Sequence, residues 1–296
     1  MIELTFLGTT CMVPTKERNH SGLFLTYKNE GILIDCGEGI QRQFKVAGIK
    51  LTKITKILIT HWHGDHVLGL PGLIQSMASS EYEGTLEIWG PKGIKERIGK
   101  MMDAFIFDRG IALKVNEAKD TFIETKTFQI QAVPLSHGIE TIGYVFLEKD
   151  RRRVQMPKLE KLGIPEGPHI AMLQEGEDII YKGKKVRADD VTYMVEGKRI
   201  GIIADTVLCD GCYQIAKDCD ILVCESSFTS EHEDKAAEYR HLTARQAGQI
   251  ASLSNVGKLV LNHFSPRYKD VSVIEEDAKS VFPHVILSYD FFKLKA

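Results

Sequence analysis

The chain has 296 residues, 43% of them hydrophobic and 26% charged, with 38 basic against 40 acidic side chains for a formal net charge of −2. That composition points to a globular, soluble protein with a sizeable core, and the near-neutral balance argues against indiscriminate polyanion binding. Six irregularly placed cysteines are too sparse for a disulfide framework and read as reduced thiols, and no stretch approaches transmembrane length.

Residues 1–7, Met1-Ile2-Glu3-Leu4-Thr5-Phe6-Leu7, alternate as a strand. They show no basic opening, long apolar run or small-residue cleavage site, so no signal peptide is visible and the cytoplasm is the expected location. An apolar, β-branched run at 54–60 then ends in His61-Trp62-His63-Gly64-Asp65-His66. In an extended segment residues two apart face the same way, which aims His61 and His63 at one ion. Gly64 lets the chain turn. Asp65 and His66, at the start of an expected helix over 67–79, are rotated away from the first pair and reach a second ion. Imidazole nitrogen and carboxylate oxygen suit zinc and tolerate manganese or iron.

Three later segments repeat the pattern of an apolar strand ending in a ligand: 128–133 running to His137, 199–203 to Asp205, and 258–261 to His263. Ligands at strand ends sit on rigid supports, and the loops joining them collect at one edge of a sheet. The compact pattern is interrupted once, between an expected strand at 141–147 and the next at 191–195. From 149 to 187 the chain carries ten basic residues against six acidic, Arg151-Arg152-Arg153 among them. Charge alone fits either a solvated loop or a docking surface for a phosphate backbone. Within this stretch Gly163-Ile164-Pro165-Glu166-Gly167-Pro168 predicts a stiff turn that is neither helix nor central strand, followed by a hairpin arm at 178–181. The expected organisation is a core of 1–149 and 188–296 with an inserted arm at 150–187. Cys209-Asp210-Gly211-Cys212 lacks the second close pair that a zinc knuckle needs, because Cys219 and Cys224 fall on and before a strand at 221–225. His20, His169, His232 and His284 lie outside the ligand pattern.

The ordered signature His-x-His-x-Asp-His, lone His, lone Asp, lone His resembles that of the metallo-β-lactamase superfamily at all seven positions. The resemblance implies an α/β fold, a four-layer α/β/β/α sandwich with its metal groove at one edge of the sheets. It also implies two zinc ions per subunit: His61, His63 and His137 hold one, Asp65, His66 and His263 the other, and Asp205 bridges them. Within the superfamily, the Gly-x-Pro-x-Gly-Pro element resembles the flexible arm of the ribonuclease Z family, the tRNA 3′-processing endonucleases. There the arm grips the tRNA body, which makes Gly163, Pro165, Gly167 and Pro168 candidate substrate-binding residues. Pro14-Thr15-Lys16-Glu17-Arg18-Asn19 is similar to that family's Pro-x-Lys-x-Arg-Asn loop near the tRNA 3′ end, implying contacts from Lys16 and Arg18. Ala204-Asp205-Thr206, Glu225-Ser226-Ser227-Phe228 and His241-Leu242-Thr243, the last opening a helix, extend the match along the chain. Ser226 and Ser227 replace the family's Ala-Thr, and the Cys209/Cys212 pair belongs to no family motif.

Attack of water on a phosphodiester meets a repelling anion and must expel a poor alkoxide. Two zincs about 3.5 to 4 Å apart lower the pKa of a shared water toward about 7 and neutralise that charge. The family assigns Asp65 to take or orient the water's proton. His241 is expected to donate a proton to the leaving O3′ or hold the non-bridging oxygens, with Glu225 fixing its tautomer. The implied reaction removes the 3′ trailer from precursor tRNA, leaving a 3′-hydroxyl on the tRNA and a 5′-phosphate on the trailer. Family members are commonly homodimers, so a homodimer is expected, with no membrane partner. Two other readings stay open: a phosphodiesterase or sulfatase of the same fold acting on a small ester, with no need of a basic arm, and a non-catalytic tRNA-binding relative.

Overall fold

The computed structural model describes residues 1–106 and 110–296, which divide into two compact units. The first comprises Met1–Phe122, Ile130–Phe146 and Arg199–Ala296. One sheet orders the strands Lys293–Lys295, Ile2–Gly8, Gly22–Tyr27, Glu30–Ile34, Lys56–Leu58, Thr85–Gly90 and Ala112–Glu117. A second orders Val285–Leu287, Lys258–Asn262, Ile221–Glu225, Arg199–Ile203, Glu140–Glu148, Phe128–Ser136 and Asp120–Glu124.

The two-residue period of a strand sorts the first sheet's side chains between two faces. Leu25, Ile32, Ile34 and Leu58 face Ile130, Tyr144, Phe146 and Ile202 of the second sheet, and Tyr27 meets Phe146 edge-on at 5.4 Å. Their sequence neighbours Phe24, Leu33 and Ile57 turn the other way, into a cluster with Phe44, Leu70, Leu73 and Ile74 from the helices Ile40–Val46 and Leu70–Ala78. Helices Asp210–Ala216, Ala244–Leu253 and Ser272–Lys279 cover the second sheet. The layers are therefore helix, sheet, sheet, helix, an α/β/β/α sandwich.

Strand direction decides where chemistry gathers. Glu30–Ile34, Lys56–Leu58, Thr85–Gly90 and Ala112–Glu117 pair in parallel, and so do Arg199–Ile203, Ile221–Glu225, Lys258–Asn262 and Val285–Leu287. Parallel pairing puts all carboxyl ends of a set on one edge, which is where open α/β sheets bind ligands. Asp35, His61, Asp205 and His263 all lie just past such ends.

Local structure departs from the sequence expectation at two places in this unit. The paired part of 54–60 is Lys56–Leu58. The helix expected over 67–79 is two, Gly64–Val67 and Leu70–Ala78. Pro71 has no N–H to continue a helix from 67 but suits the first turn of a new one. Gly69, at the break, lies so close to the Gly37 carbonyl that an added Cβ would collide with it.

The second unit, Ile123–Gln129 and Leu147–Lys198, holds a ribbon of Arg151–Val154 with Thr192–Val195, a hairpin of Ile179–Tyr181 with Lys184–Val186, and three short helices. It has its own core of Leu159, Ile164, Leu173, Ile179, Val186, Ala188 and Val191. The sequence boundaries of 150–187 fall inside it, and the strand expected over 191–195 is present as Thr192–Val195, after a helix Ala188–Val191. The glycine–proline element joins two helices rather than forming a bare turn. Gly163, at φ 66°, ends Met156–Lys161, its N–H donating to Glu160 O and that of Ile164 to Leu159 O, each at 3.0 Å. This is a Schellman stop whose apolar pair, Leu159 and Ile164, enters the core. Pro168 then opens Pro168–Gln174, where its fixed φ costs nothing. Among the described residues no helix is long and apolar enough to cross a membrane.

Candidate metal centre

All seven sequence-picked ligands meet. His61, His63, His137 and Asp205 form one group whose ligand atoms lie within 4.8 Å of one another, and Asp65, His66 and His263 form a second. His61 Nε2 stands 3.1 Å from His63 Nδ1, and His137 Nε2 3.3 Å from the same atom. A tetrahedral cation with metal–nitrogen bonds of about 2.0 to 2.1 Å holds its nitrogens about 3.3 to 3.4 Å apart, so this spacing suits a shared ion. Asp205 Oδ2 lies 3.6 Å from His61 Nε2, 3.8 Å from His137 Nε2 and 3.5 Å from His66 Nε2. One carboxylate thus faces both groups. Asp65 Oδ2 is 3.4 Å from His66 Nε2 and 3.6 Å from His263 Nε2.

The outward nitrogens explain how the rings are aimed. Thr60 Oγ donates to Asp35 Oδ2 at 2.8 Å, which leaves it to accept from His61 Nδ1 at 3.0 Å. His66 Nδ1 is 2.7 Å from Asp35 Oδ2, and His137 Nδ1–H donates to the Arg240 carbonyl at 2.8 Å. Ser227 Oγ lies 3.1 Å from His263 Nδ1. Each contact orients the ring and turns Nε2 inward. There, His66 Nε2, His263 Nε2 and Asp205 Oδ1 are buried with no hydrogen-bond partner. Such atoms are costly unless something else satisfies them, and a cation does. The donor set of nitrogens and carboxylate oxygens fits divalent metal, and the site is metal-binding in character.

Electrostatics divide the rings: burial works against the imidazolium of His66 and His263, but Asp205, joined by Asp35 at His66, holds His66 well above its ordinary pKa and pushes His263 up to about 9. Burial, helped by the neighbouring imidazoles, pushes His61 well below its ordinary pKa and His63 in the same direction, which keeps both rings neutral and able to ligate. For Asp65, burial pulls upward, but the His263 and His66 imidazoles outweigh it and hold the carboxyl far below its usual range. The Met12 N–H also donates to Asp65 Oδ2 at 2.9 Å, from a residue at φ 56°. His263 itself has φ 63°. A bulky residue in the left-handed region stores strain of the kind found at functional sites.

His241 and Glu225 adjoin this cluster. His241 Nδ1 is 3.1 Å from each Glu225 oxygen, and Glu225 also accepts from Thr206 N and Ser227 Oγ, both at 2.8 Å. Burial works against the imidazolium, but the Glu225 carboxylate, the Cys11 thiol and Asp205 together push His241 up to about 12. Thr243, two residues after His241, caps the helix Ala244–Leu253 in a capping box with Gln246. A cleft of about 740 Å³ opens beside His137, with Lys92, Lys119 and Arg240 but also Glu117, Asp120 and Glu140 on its walls.

The remaining candidates belong to none of the ligand groups among the described residues. Lys16 is exposed. Arg18 commits one guanidinium nitrogen to the Tyr268 carbonyl at 2.8 Å, so part of its fork serves the loop. Gly163, Pro165, Gly167 and Pro168, all exposed, belong to the second unit. His20 packs its Nε2 3.0 Å from the Met12 carbonyl. Sequence reasoning does not single out Asp35, Thr60, Ser227 or the Arg240 carbonyl. A signal for Asp35 was present, since the run Gly31-Ile32-Leu33-Ile34-Asp35 is another apolar strand ending in an acid.

Comparison with known proteins bears on this geometry. Residues 2–103 match the family described as anti-Pycsar protein Apyc1. Over 285 residues the chain is 39% identical to ribonuclease Z of Methanothermobacter thermautotrophicus, covering 96% of this chain and 93% of that one. Among solved structures, human tRNase Z, short form, superposes with a TM-score of 0.73 at 26% identity, covering 99% of this chain and 98% of that one. The metallo-beta-lactamase fold protein YhfI from Bacillus subtilis gives a TM-score of 0.73 at 16% identity, covering 100% and 99%, a likeness of fold alone.

Proposed function

From the premise that this chain belongs to the ribonuclease Z family of metallo-β-lactamase fold hydrolases, we propose that it is a two-zinc endoribonuclease that removes the 3′ trailer from precursor tRNA. The observation that carries this reading is the convergence of seven side chains, three of whose buried inward atoms have no protein partner. His61, His63 and His137 would hold one cation, Asp65, His66 and His263 the second, and Asp205 would serve both. When bound, the cations supply an activated water and neutralise charge on the scissile phosphate.

The chain's own residues do the rest. Asp65, ionised and fixed by the Met12 amide, orients the attacking water, whose proton passes to solvent. The water oxygen bonds to phosphorus as the bond to O3′ breaks. His241, kept protonated by Glu225, donates to the departing O3′, so the tRNA ends in a 3′-hydroxyl and the trailer begins with a 5′-phosphate. Lys16 and the free side of Arg18 meet the RNA 3′ end, and the basic residues of the stretch 149–187 in the second unit hold the tRNA body. The functional form is read as a homodimer on family resemblance.

End-labelled precursor tRNA incubated with the protein, with a chelator, and after readdition of zinc or manganese tests the reading. Cleavage at the trailer junction that is lost and regained with metal is expected. Intact RNA with the metal-loaded protein would remove the assignment. In the same assay His241→Ala should keep both metals and lose about 10²- to 10⁴-fold in rate. A wild-type rate would take His241 out of the mechanism.

A further inference from the structure

Five of the six cysteines are buried, and Cys209 is half-exposed. It sits immediately before the helix Asp210–Ala216, and Cys212 lies one turn along. The two sulfurs stand 3.8 Å apart, and the Cys212 N–H donates to the Cys209 carbonyl at 3.0 Å, so one turn of backbone holds them together. Neither belongs to a metal-ligating group among the described residues. We propose that Cys209 and Cys212 are a thiol–disulfide exchange site that reacts with low-molecular-weight disulfides.

In this exchange the Cys209 thiolate attacks one sulfur of a disulfide RSSR, forming Cys209–S–S–R and releasing RS⁻. The Cys212 thiol then loses its proton to that RS⁻, and its sulfur attacks Cys209 Sγ. The Cys209–Cys212 bond forms, and the second RS⁻ leaves and takes up the Cys209 proton from solvent. The protein gives up two electrons and two protons, which appear on two molecules of RSH.

The order of attack follows from the surroundings. The Cys212 thiol hydrogen bond, joined by the Thr206 hydroxyl and the Cys212 and Gly211 amides, brings Cys209 down to about 5 against the opposing effect of burial. The same hydrogen bond, together with burial, pushes Cys212 up. Cys209 is therefore the exposed nucleophile and Cys212 the protected resolving thiol. Closing 3.8 Å to the ~2.05 Å of a disulfide draws on Thr206, whose Oγ is 3.7 Å from Cys209 Sγ and accepts the Ser136 N–H at 3.0 Å. Asp205 and His137 are the chain neighbours of Thr206 and Ser136.

The test treats the metal-loaded full chain with oxidised glutathione under native conditions, quenches in acid, and measures intact mass and peptide linkage. The wild type should lose two hydrogens in mass, link 209 to 212, and return to its starting mass with dithiothreitol. Cys212→Ser should instead accumulate one glutathione on Cys209, and Cys209→Ser should show neither change. An unchanged wild-type mass, a glutathione adduct on wild-type Cys209 that Cys212 does not resolve, or a bond to another cysteine would overturn the proposal. The wild-type arm decides even if a variant fails to fold. No RNA enters the measurement, so its outcome is separate from that of the nuclease assay.

Discussion

Asp35 accepts from Thr60 N and Thr60 Oγ, each at 2.8 Å, and from His66 Nδ1 at 2.7 Å. Through Thr60 it also sets the His61 ring, so one carboxylate orients a ligand in each of the two groups. Asp35→Asn offers an amide in place of the second acceptor oxygen and is expected to weaken metal binding about 10- to 100-fold. Chelator competition on the purified protein would show it, and unchanged affinity would reduce Asp35 to a fold residue. The reason this residue escapes a reading of the sequence is physical. An acid after an apolar strand, here at φ 58°, is also what an ordinary turn looks like. Its role depends on a partner 31 positions away, which no local spacing encodes. His61, His63, Asp65 and His66 are legible because their density at one strand end has no comparable turn explanation.

At the scale of elements, the strands that end in ligands could be read from period and β-branching, since burial on both faces leaves uninterrupted apolar runs such as Ile221–Glu225. The helices of the second unit could not. Leu159, Ile164 and Leu173 are its apolar anchors, but Met156–Lys161 and Pro168–Gln174 are too short to display a helical period among so many charges. The loop that brings Met12 to Asp65 is another element whose placement is set from afar. Asp290 ties it down by accepting from Thr9 Oγ and Asn19 N at 2.8 Å, and from Gln43 Nε2 at 2.9 Å. Burial pushes Asp290 up to about 6 against those donors. The folded pKa thus lies above the unfolded value of ~3.9, so protonation favours the folded state. That contribution is fully present below about pH 4 and is lost as pH rises through about 6. Asp290→Asn removes it. The difference in urea midpoint between wild type and variant should therefore change across this window and level off above it. A constant difference would mean that Asp290 titrates as an ordinary carboxylate.

At the scale of the whole molecule, the second unit can be removed with little insult to what remains. The ribbon's last pair is Val154 with Thr192, and the chain enters and leaves side by side, with Glu148 N donating to Lys198 O at 2.9 Å. Replacing residues 155–191 by a short turn should leave turnover of a small aryl phosphodiester near the intact rate. Cleavage of precursor tRNA should fall by roughly 10²-fold or more, because phosphate contacts supply much of nucleic-acid affinity. Equal loss on both substrates would indicate damage to the core, and full retention on tRNA would deny the unit any part in binding.

The ligands span positions 61 to 263, and that spread has a consequence during synthesis. A growing polypeptide emerges from its amino end, and six of the first sheet's seven strands, from Ile2–Gly8 to Ala112–Glu117, are made well before His263. Until then the centre lacks a member, so order of translation sets when the cluster can be completed: only once the last of its seven side chains has arrived.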